Sequence, residues 1–140
     1  MDGGDIRGAV HTNMRHDSAV KHVTGRAVYI DDMPEPPGTQ HTALVLSPHA
    51  HARIVSIDKS AAETADGVSA VVTATDIPGV NDIAPVMSGE PLLADGIAQY
   101  AGMPVAAVSA DTYDQAFAAA SLVEVTYEEL PPILSIEDAW

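Results

Sequence analysis

The sequence predicts a small α+β fold in a single domain, and three observations carry that prediction. Short β-branched or alternating runs are set off by turn residues, two Ala-rich stretches between them suit helices, and 140 residues with 46% apolar composition are enough for one core. Alanine supplies 23 of the 65 apolar residues and aromatics only 4% of the chain. The core is therefore expected to be built from small pieces, with Val, Ile and Leu giving most of the buried area.

The elements follow in order. Residues 1–15, and the stretch on to Asp17, are rich in Gly, Asp, Asn and His without a period, and read as a flexible leader. Tyr29 to Gly38 holds three prolines, which remove amide donors and fix φ, so it reads as a loop, too short for a domain linker. Gln40 to Ser47 reads as a strand ending at Pro48. Ala52 to Asp58 places Ile54, Val55 and Ile57 among polar neighbours, consistent with a half-buried strand. Lys59 to Thr64 suits a short helix stopped by Gly67, and the Asp66-Gly67 turn pair introduces a β-branched strand, Val68 to Thr73. Thr75 to Gly96 is irregular, with prolines at 78, 85 and 91; a loop of that length is functional or packs against something else. Val105 to Ala110 reads as a short buried strand. Thr112 to Leu122 is the best helix, with Asp111 as expected N-cap and Tyr113, Ala116, Phe117 and Ala120 on the face expected to cover a sheet. Val123 to Glu129 alternates apolar and polar residues, a strand with one wet face, ended by Leu130-Pro131-Pro132. Ser135 to Trp140 starts like a capped helix and stops without a C-terminal signal, so the 140 residues are expected to be the front of a longer polypeptide.

Charge narrows the function. Twenty Asp and Glu against six Lys and Arg give −14. Such a surface repels phosphate backbones and anionic lipid, so neither nucleic acid nor membrane is an expected partner. No apolar run approaches a membrane span, and no apolar signal core opens the chain, so a cytoplasmic setting is expected. The acid is concentrated: residues 60–140 carry thirteen acidic and no basic side chains. This fits either a strongly solvated surface or a face for a basic partner. With no cysteine, the chain holds no disulfide, no Cys-ligated zinc and no cysteine-bound iron–sulfur cluster.

Candidate chemistry is thin. His49 and His51 would share a face on a strand at a separation a metal could bridge, but Pro48 favours a turn and no third ligand is close in sequence. His11, His16, His22 and His41 form no motif. Asp31-Asp32 is either a carboxylate pair for acid–base or cation chemistry, or two turn formers bonding neighbouring amides. Glu128-Glu129 at a strand end reads as solvated. No Gly-flanked nucleophile turn surrounds Ser47, Ser56 or Ser109, and no phosphate loop is present. The residues themselves thus describe a soluble domain with no catalytic, cofactor-binding or metal-binding residues of its own.

Five ordered blocks nevertheless resemble one family. They are His-Asp-Ser-Ala-Val-Lys-His-Val-Thr-Gly-Arg-Ala-Val-Tyr-Ile-Asp-Asp (16–32), Ser-Pro-His-Ala-His-Ala-Arg-Ile-Val-Ser-Ile-Asp (47–58), Thr-Ala-Thr-Asp-Ile-Pro-Gly-Val-Asn (73–81), Glu-Pro-Leu-Leu-Ala (90–94) and Val-Thr-Tyr-Glu-Glu-Leu-Pro-Pro-Ile-Leu-Ser-Ile-Glu-Asp-Ala (125–139). Together they resemble the N-terminal α/β-hammerhead domain of the molybdenum-binding subunit of xanthine dehydrogenases and aldehyde oxidases. The resemblance implies mixed small sheets with two main helices over residues 16–132, and a connection to a molybdopterin-binding region beginning at 133–140. It implies a whole enzyme that hydroxylates hypoxanthine, xanthine or a related N-heterocycle, with aldehydes as the alternative. That enzyme would carry a molybdenum–pterin cofactor, two [2Fe–2S] clusters and FAD, with no cofactor in these 140 residues, which are expected to be inactive alone. Expected partners are the remainder of the subunit and the iron–sulfur and FAD subunits or domains. The short distance from Met1 to the first block suggests a separate molybdenum subunit. The resemblance also places Pro85, Val86 and Met87 near the substrate funnel, against the alternative that Val86 and Met87 anchor their loop to the domain's own core. Where relatives often have Gly-Gln-Pro, this chain has Gly102-Met103-Pro104, a position expected to be permissive. A carrier domain, which hammerhead-like folds also resemble, needs a modifiable lysine on an exposed hairpin; Lys21 and Lys59 are the only lysines, and neither sits between methionines. A non-catalytic interaction module using the acidic half is the remaining alternative.

Overall fold

A computed structural model describes residues 16–140; the expected leader, with His11, lies outside the described residues. The described residues fall into two compact units that divide between Pro36 and Pro37, within the proline-rich loop.

In the first unit, α1 (Ala19–Val23) is a single turn and a half, closed by Gly25 at φ 68°, followed by a 3-10 turn at Ile30–Asp32. Asp32 acts as the turn former that one reading of Asp31-Asp32 expected: its carboxylate accepts a hydrogen bond from the Tyr29 amide at 3.0 Å. The Tyr29 hydroxyl meets His22 Nδ1 at 3.0 Å.

The second unit holds two three-stranded sheets, antiparallel at every pairing. The strands are β1 (His41–Leu46), β2 (Ala52–Asp58), β3 (Val68–Thr73), β4 (Ile97–Ala98), β5 (Pro104–Ala110) and β6 (Glu124–Glu129). The first sheet has the order β1-β5-β3 and the second β4-β2-β6. Two helices join them, the one-turn α2 (Ser60–Glu63) and the longer α3 (Tyr113–Ala120). This is the α+β architecture expected, with short helices.

The first sheet buries one face under α3. Ala43, Val108 and Val71 lie opposite one another across β1, β5 and β3, and all three are buried. The helix presses Ala116 and Ala119 onto this face, so the alanine-rich composition lets helix and sheet approach closely. Here the expectation fails in part. Ala116 is buried and Ala120 packs beside the core, but Tyr113 and Phe117 are 59% and 65% exposed and stack on each other with ring centroids 6.3 Å apart. The four positions form one helical arc, but the buried arc is rotated towards Ala119, where a large ring would not fit. The cap also shifts by one residue. Thr112, with extended backbone (φ −133°, ψ 158°), accepts a hydrogen bond from the Gln115 amide at 3.2 Å and donates to Gln115 Oε1 at 2.9 Å; Asp111 does not cap the helix.

Gly67 sits at φ 74°, and its carbonyl accepts from the Asp111 amide at 2.9 Å, tying the start of β3 to the end of β5. A Cβ there would collide with the Gln115 side chain.

In the second sheet, Ile54 and Ile57 are three residues apart yet pack into one core cluster, which strict alternation forbids. A bulge between Ile54 and Ser56 resolves this: the β2–β6 register slips there, and Val55 points outward, 59% exposed. On β6, Val125 and Tyr127 are half-buried while Glu124, Thr126 and Glu128 are exposed, as the alternation predicts. The two-residue β4 is absent from the sequence reading, being too short for a periodic signal.

Met103 joins the sheets. It is 1% exposed and packs with Ala94 and Val105 against Ile54, Ile57, Val125 and Tyr127. Its Sδ accepts from the Gln99 amide at 3.3 Å. Position 103, expected to be permissive, holds one of the largest fully buried side chains.

Ser135 caps a turn, as expected, its Oγ accepting from the Asp138 amide at 3.1 Å, but the segment remains a turn and does not become a helix.

Candidate functional site

The irregular stretch after β3 is built by three side chains that sequence reasoning did not single out for a role. It begins at a clamp. Asp76 accepts hydrogen bonds from the Thr73 amide and hydroxyl, both at 2.8 Å, which turns the chain into a 3-10 turn at Ala74–Asp76. Lys59 reaches across from the start of α2, its Nζ donating to the Val71 carbonyl at 3.1 Å and lying 3.3 Å from Asp76 and 3.4 Å from Glu63. Burial by itself lowers the Lys59 pKa; hydrogen bonds and charge from Asp76 and Glu63 outweigh it and hold the ammonium above its ordinary value. The Thr73 bonds, helped by Lys59, hold the Asp76 carboxyl below the usual range.

Asn81 then replaces a missing strand. Its Nδ2 donates to the Leu93 carbonyl at 2.7 Å, and its Oδ1 accepts from the Leu92 and Leu93 amides at 2.9 and 3.2 Å. Asp82 closes the neck of the loop. Its carboxylate accepts from the amides of Ala84 (3.0 Å), Gly89 (2.8 Å) and Glu90 (3.2 Å), and these bonds lower its pKa. The Ile83 amide donates to the Glu90 carbonyl at 2.9 Å across the same neck.

Beyond this neck stand Pro85, Val86 and Met87. All three are exposed, Val86 by 89% and Met87 by 81%. The alternative that Val86 and Met87 anchor the loop to the domain's own core is corrected by that exposure: the anchoring is done by Asn81 and Asp82 through backbone amides, and the apolar tip is left free. The signal was present in sequence as an Asn-Asp pair placed between a Pro-Gly turn and a Gly, the residue type that bonds nearby amides.

The other candidates separate. His49 and His51 lie in the bend between β1 and β2, as Pro48 suggested. The His49 ring packs edge-on against Tyr127 at 4.9 Å with Glu129 3.5 Å from its Nδ1, whereas His51 Nδ1 meets the Pro131 carbonyl at 2.9 Å. Glu128 pairs with Arg53 at 2.9 Å. Among the described residues no group of three or more His, Cys, Asp or Glu is placed to hold a metal ion. Lys59 is engaged in the clamp and Lys21 lies in α1, so neither occupies the exposed hairpin a carrier domain needs. The Tyr127 hydroxyl is buried with no well-formed hydrogen bond among the described residues, and burial raises its pKa, opposed by a weak polar interaction with the Ser47 hydroxyl.

This architecture and the ordered blocks have a known counterpart. Residues 24–131 match the family described as aldehyde oxidase and xanthine dehydrogenase, a/b hammerhead domain. The chain belongs to that family, and it is a hammerhead domain of the molybdenum hydroxylase type. It is similar to a xanthine dehydrogenase of Oryza sativa subsp. japonica, 48% identical over 131 residues, covering 94% of this chain and 10% of that protein. Aldehyde oxidase 4 of Mus musculus is 42% identical over 125 residues, covering 89% of this chain and 9% of that one. Among solved structures, quinoline 2-oxidoreductase from Pseudomonas putida 86 superimposes with a TM-score of 0.75 at 37% identity, covering 88% of this chain and 16% of that chain. The chain thus spans about a tenth of the length of the full-length relatives it matches. Among the described residues no helix is long and apolar enough to cross a membrane.

Proposed function

We propose that this chain is the structural entry domain of the molybdenum-binding subunit of a cytoplasmic, purine-hydroxylating enzyme, acting on hypoxanthine or xanthine. The observation that supports the reading is identity of 48% and 49% to plant xanthine dehydrogenases, against 42% and 44% for two aldehyde oxidases, although the xanthine dehydrogenase/oxidase of Gallus gallus is 40% identical. In this reading residues 16–132 form the domain, residues 1–15 its leader and residues 133–140 the start of the connection to the molybdopterin-binding region. The chain has no cysteine to ligate an iron–sulfur cluster. In this reading the molybdenum–pterin cofactor, two [2Fe–2S] clusters and FAD are carried by the rest of the enzyme. This domain contributes position and surface. The tip Pro85–Met87 is apolar, exposed and held at its neck by Asp82, which suits a wall of the substrate funnel.

The test is purification of the native complex from its source. Molybdenum and flavin in stoichiometric amounts, with turnover of xanthine, are expected. Absence of molybdenum and pterin rejects the reading, and turnover of aldehydes with none of purines replaces it by the aldehyde oxidase type.

A further inference from the structure

Helix α3 buries one side and leaves the other in water. Ala116 and Ala119 are buried, whereas Tyr113, Asp114, Phe117, Ala118 and Ser121 are exposed. Tyr113 and Phe117 are four residues apart, so they are neighbours on the helix surface, and their rings stack with an interplanar angle of 21°. Ala118 and Ser121 are small and leave the rings open to approach from the side. The chain has one Trp, four Tyr and one Phe, and this exposed pair takes its only phenylalanine. Two rings held together in water forgo the burial that ordinarily stabilises an aromatic side chain.

The charged side chains placed around this pair are acidic. Asp114 is three residues from Phe117 and shares its side of the helix. Asp111 precedes the helix, and Asp66 lies beside its first turn, its carboxylate accepting from Gln115 Nε2 at 3.2 Å. These three carboxylates outweigh the partial positive charge, about half an elementary charge, at the helix N-terminus. The second unit has no cation to spare for the rings. Residues 37–140 hold only Arg53 and Lys59, and both are in ion pairs, Arg53 with Glu128 and Lys59 with Asp76 and Glu63. A second copy of so acidic a chain is repelled, and so is an anionic lipid surface. An aliphatic partner would strip water from Asp114 without replacing it. The core of a permanent interface is depleted of charge, so rings set among carboxylates suit a transient partner.

We infer that the exposed side of α3 is a docking site for a transient protein partner, which lays an arginine of a basic segment over Tyr113 and Phe117 with Asp114 as its counter-ion. A guanidinium is planar, stacks on aromatic faces and is weakly hydrated, so it meets the rings and a carboxylate together; a compact, strongly hydrated ammonium does so less well. Of the two readings that the acidic composition of residues 60–140 allows, this selects the basic partner and gives it a place. It does not rest on the purine-hydroxylase reading, which concerns chemistry outside these residues. Because the partner is transient, the site is open in the purified protein.

The experiment uses the complete native polypeptide in its assembled form. The probe is a fluorescein-labelled peptide of alternating glycine and arginine, followed by fluorescence anisotropy at physiological ionic strength, where diffuse attraction to the acidic surface is largely screened. Saturable binding is expected. Replacing each arginine by citrulline, which keeps the shape and removes the charge, is expected to weaken it about tenfold or more. Tyr113→Leu with Phe117→Leu keeps an apolar surface and a good helix former at both positions but removes the rings, and is expected to weaken binding about fivefold or more. Phe117→Tyr keeps the ring and is expected to stay within about twofold. Because Tyr113 and Phe117 are more than half exposed, the double leucine variant keeps the native circular dichroism. Failure of the arginine peptide to bind overturns the inference. So does equal binding of the citrulline peptide, which makes the contact merely apolar, and so does equal binding by the double leucine variant, which makes it diffuse charge attraction. None of these results bears on xanthine turnover, so the functional reading stands or falls separately.

Discussion

Truncating Met103 is the sharpest probe of how the two sheets are held together. Met103→Ala removes three heavy atoms from a side chain that is 1% exposed and touches both sheets. At about 0.8 kcal/mol per buried methylene-sized group, the transfer contribution is about 2–2.5 kcal/mol. The cavity adds to it, because Ala94 and Val105 on either side are small or β-branched and cannot swing into the space. A total loss of about 2–5 kcal/mol follows, the range for Met→Ala in a packed core. The Gln99 amide also loses its Sδ acceptor, at little further loss because Gln99 is exposed and water replaces it. Urea unfolding of the 140-residue chain, followed by circular dichroism, measures this directly. With a slope of about 1–3 kcal/mol per molar urea, the midpoint falls by roughly 0.7–5 M. Met103→Gln leaves a smaller cavity than Met103→Ala but buries an amide NH2 among apolar neighbours, so it also destabilises the domain. A loss below about 1 kcal/mol for Met103→Ala would refute the reasoning, since only a solvated or collapsible site permits it.

The remaining predictions concern the cap, the neck and the tip. Thr112→Ala removes the N-cap of α3 and lowers stability by about 1 kcal/mol, whereas Asp111→Ala has a smaller effect; a reversed order in thermal unfolding contradicts the cap assignment. The Asp82 carboxyl has its pKa lowered by hydrogen bonds from the amides of Ala84 and Gly89, then Glu90, so its contribution is fully present above the ordinary value of 3.8 and is lost as pH falls through the lowered one. Hydrogen exchange of the Gly89 and Glu90 amides therefore accelerates, relative to the intrinsic rate, only in strong acid, and Asp82→Ala produces that acceleration at neutral pH; equal protection in the variant refutes the neck. Val86→Ser with Met87→Ser leaves the domain's unfolding midpoint unchanged, because both side chains are in water, but raises KM in the whole enzyme; a fall in domain stability would place them in the core instead.

Much of this fold is written locally. The turn pair Asp66-Gly67, the β-branched run of β3 and the alternation of β6 each act within a few residues, so each is legible without knowing what lies across the sheet. The candidate site was legible only as an interruption. Prolines and glycines from 78 to 96 announce a loop, but whether it hangs free or is built depends on where Asn81 and Asp82 find backbone partners, all but that of Ala84 lying seven to twelve residues away. The Lys59 clamp was beyond sequence reading for the same reason: its three partners are brought together only when α2 packs beside β3.

The face that α3 buries shows the limit most plainly. Hydrophobicity favours Tyr113 and Phe117, while the structure chooses Ala116 and Ala119. Pattern ranks a residue by its transfer from water; packing ranks it by the space left between two surfaces, and here that space admits only a methyl group. Composition and local chemistry therefore determined the class of fold, the order of its elements and the absence of cysteine ligands. Tertiary packing decided which alanines face the sheet, that a bulge lets Ile54 and Ile57 share a core, that Met103 bridges the two sheets, and that α3 covers only one face of the first sheet. Those four depend on distances between segments remote in sequence, which no local period encodes.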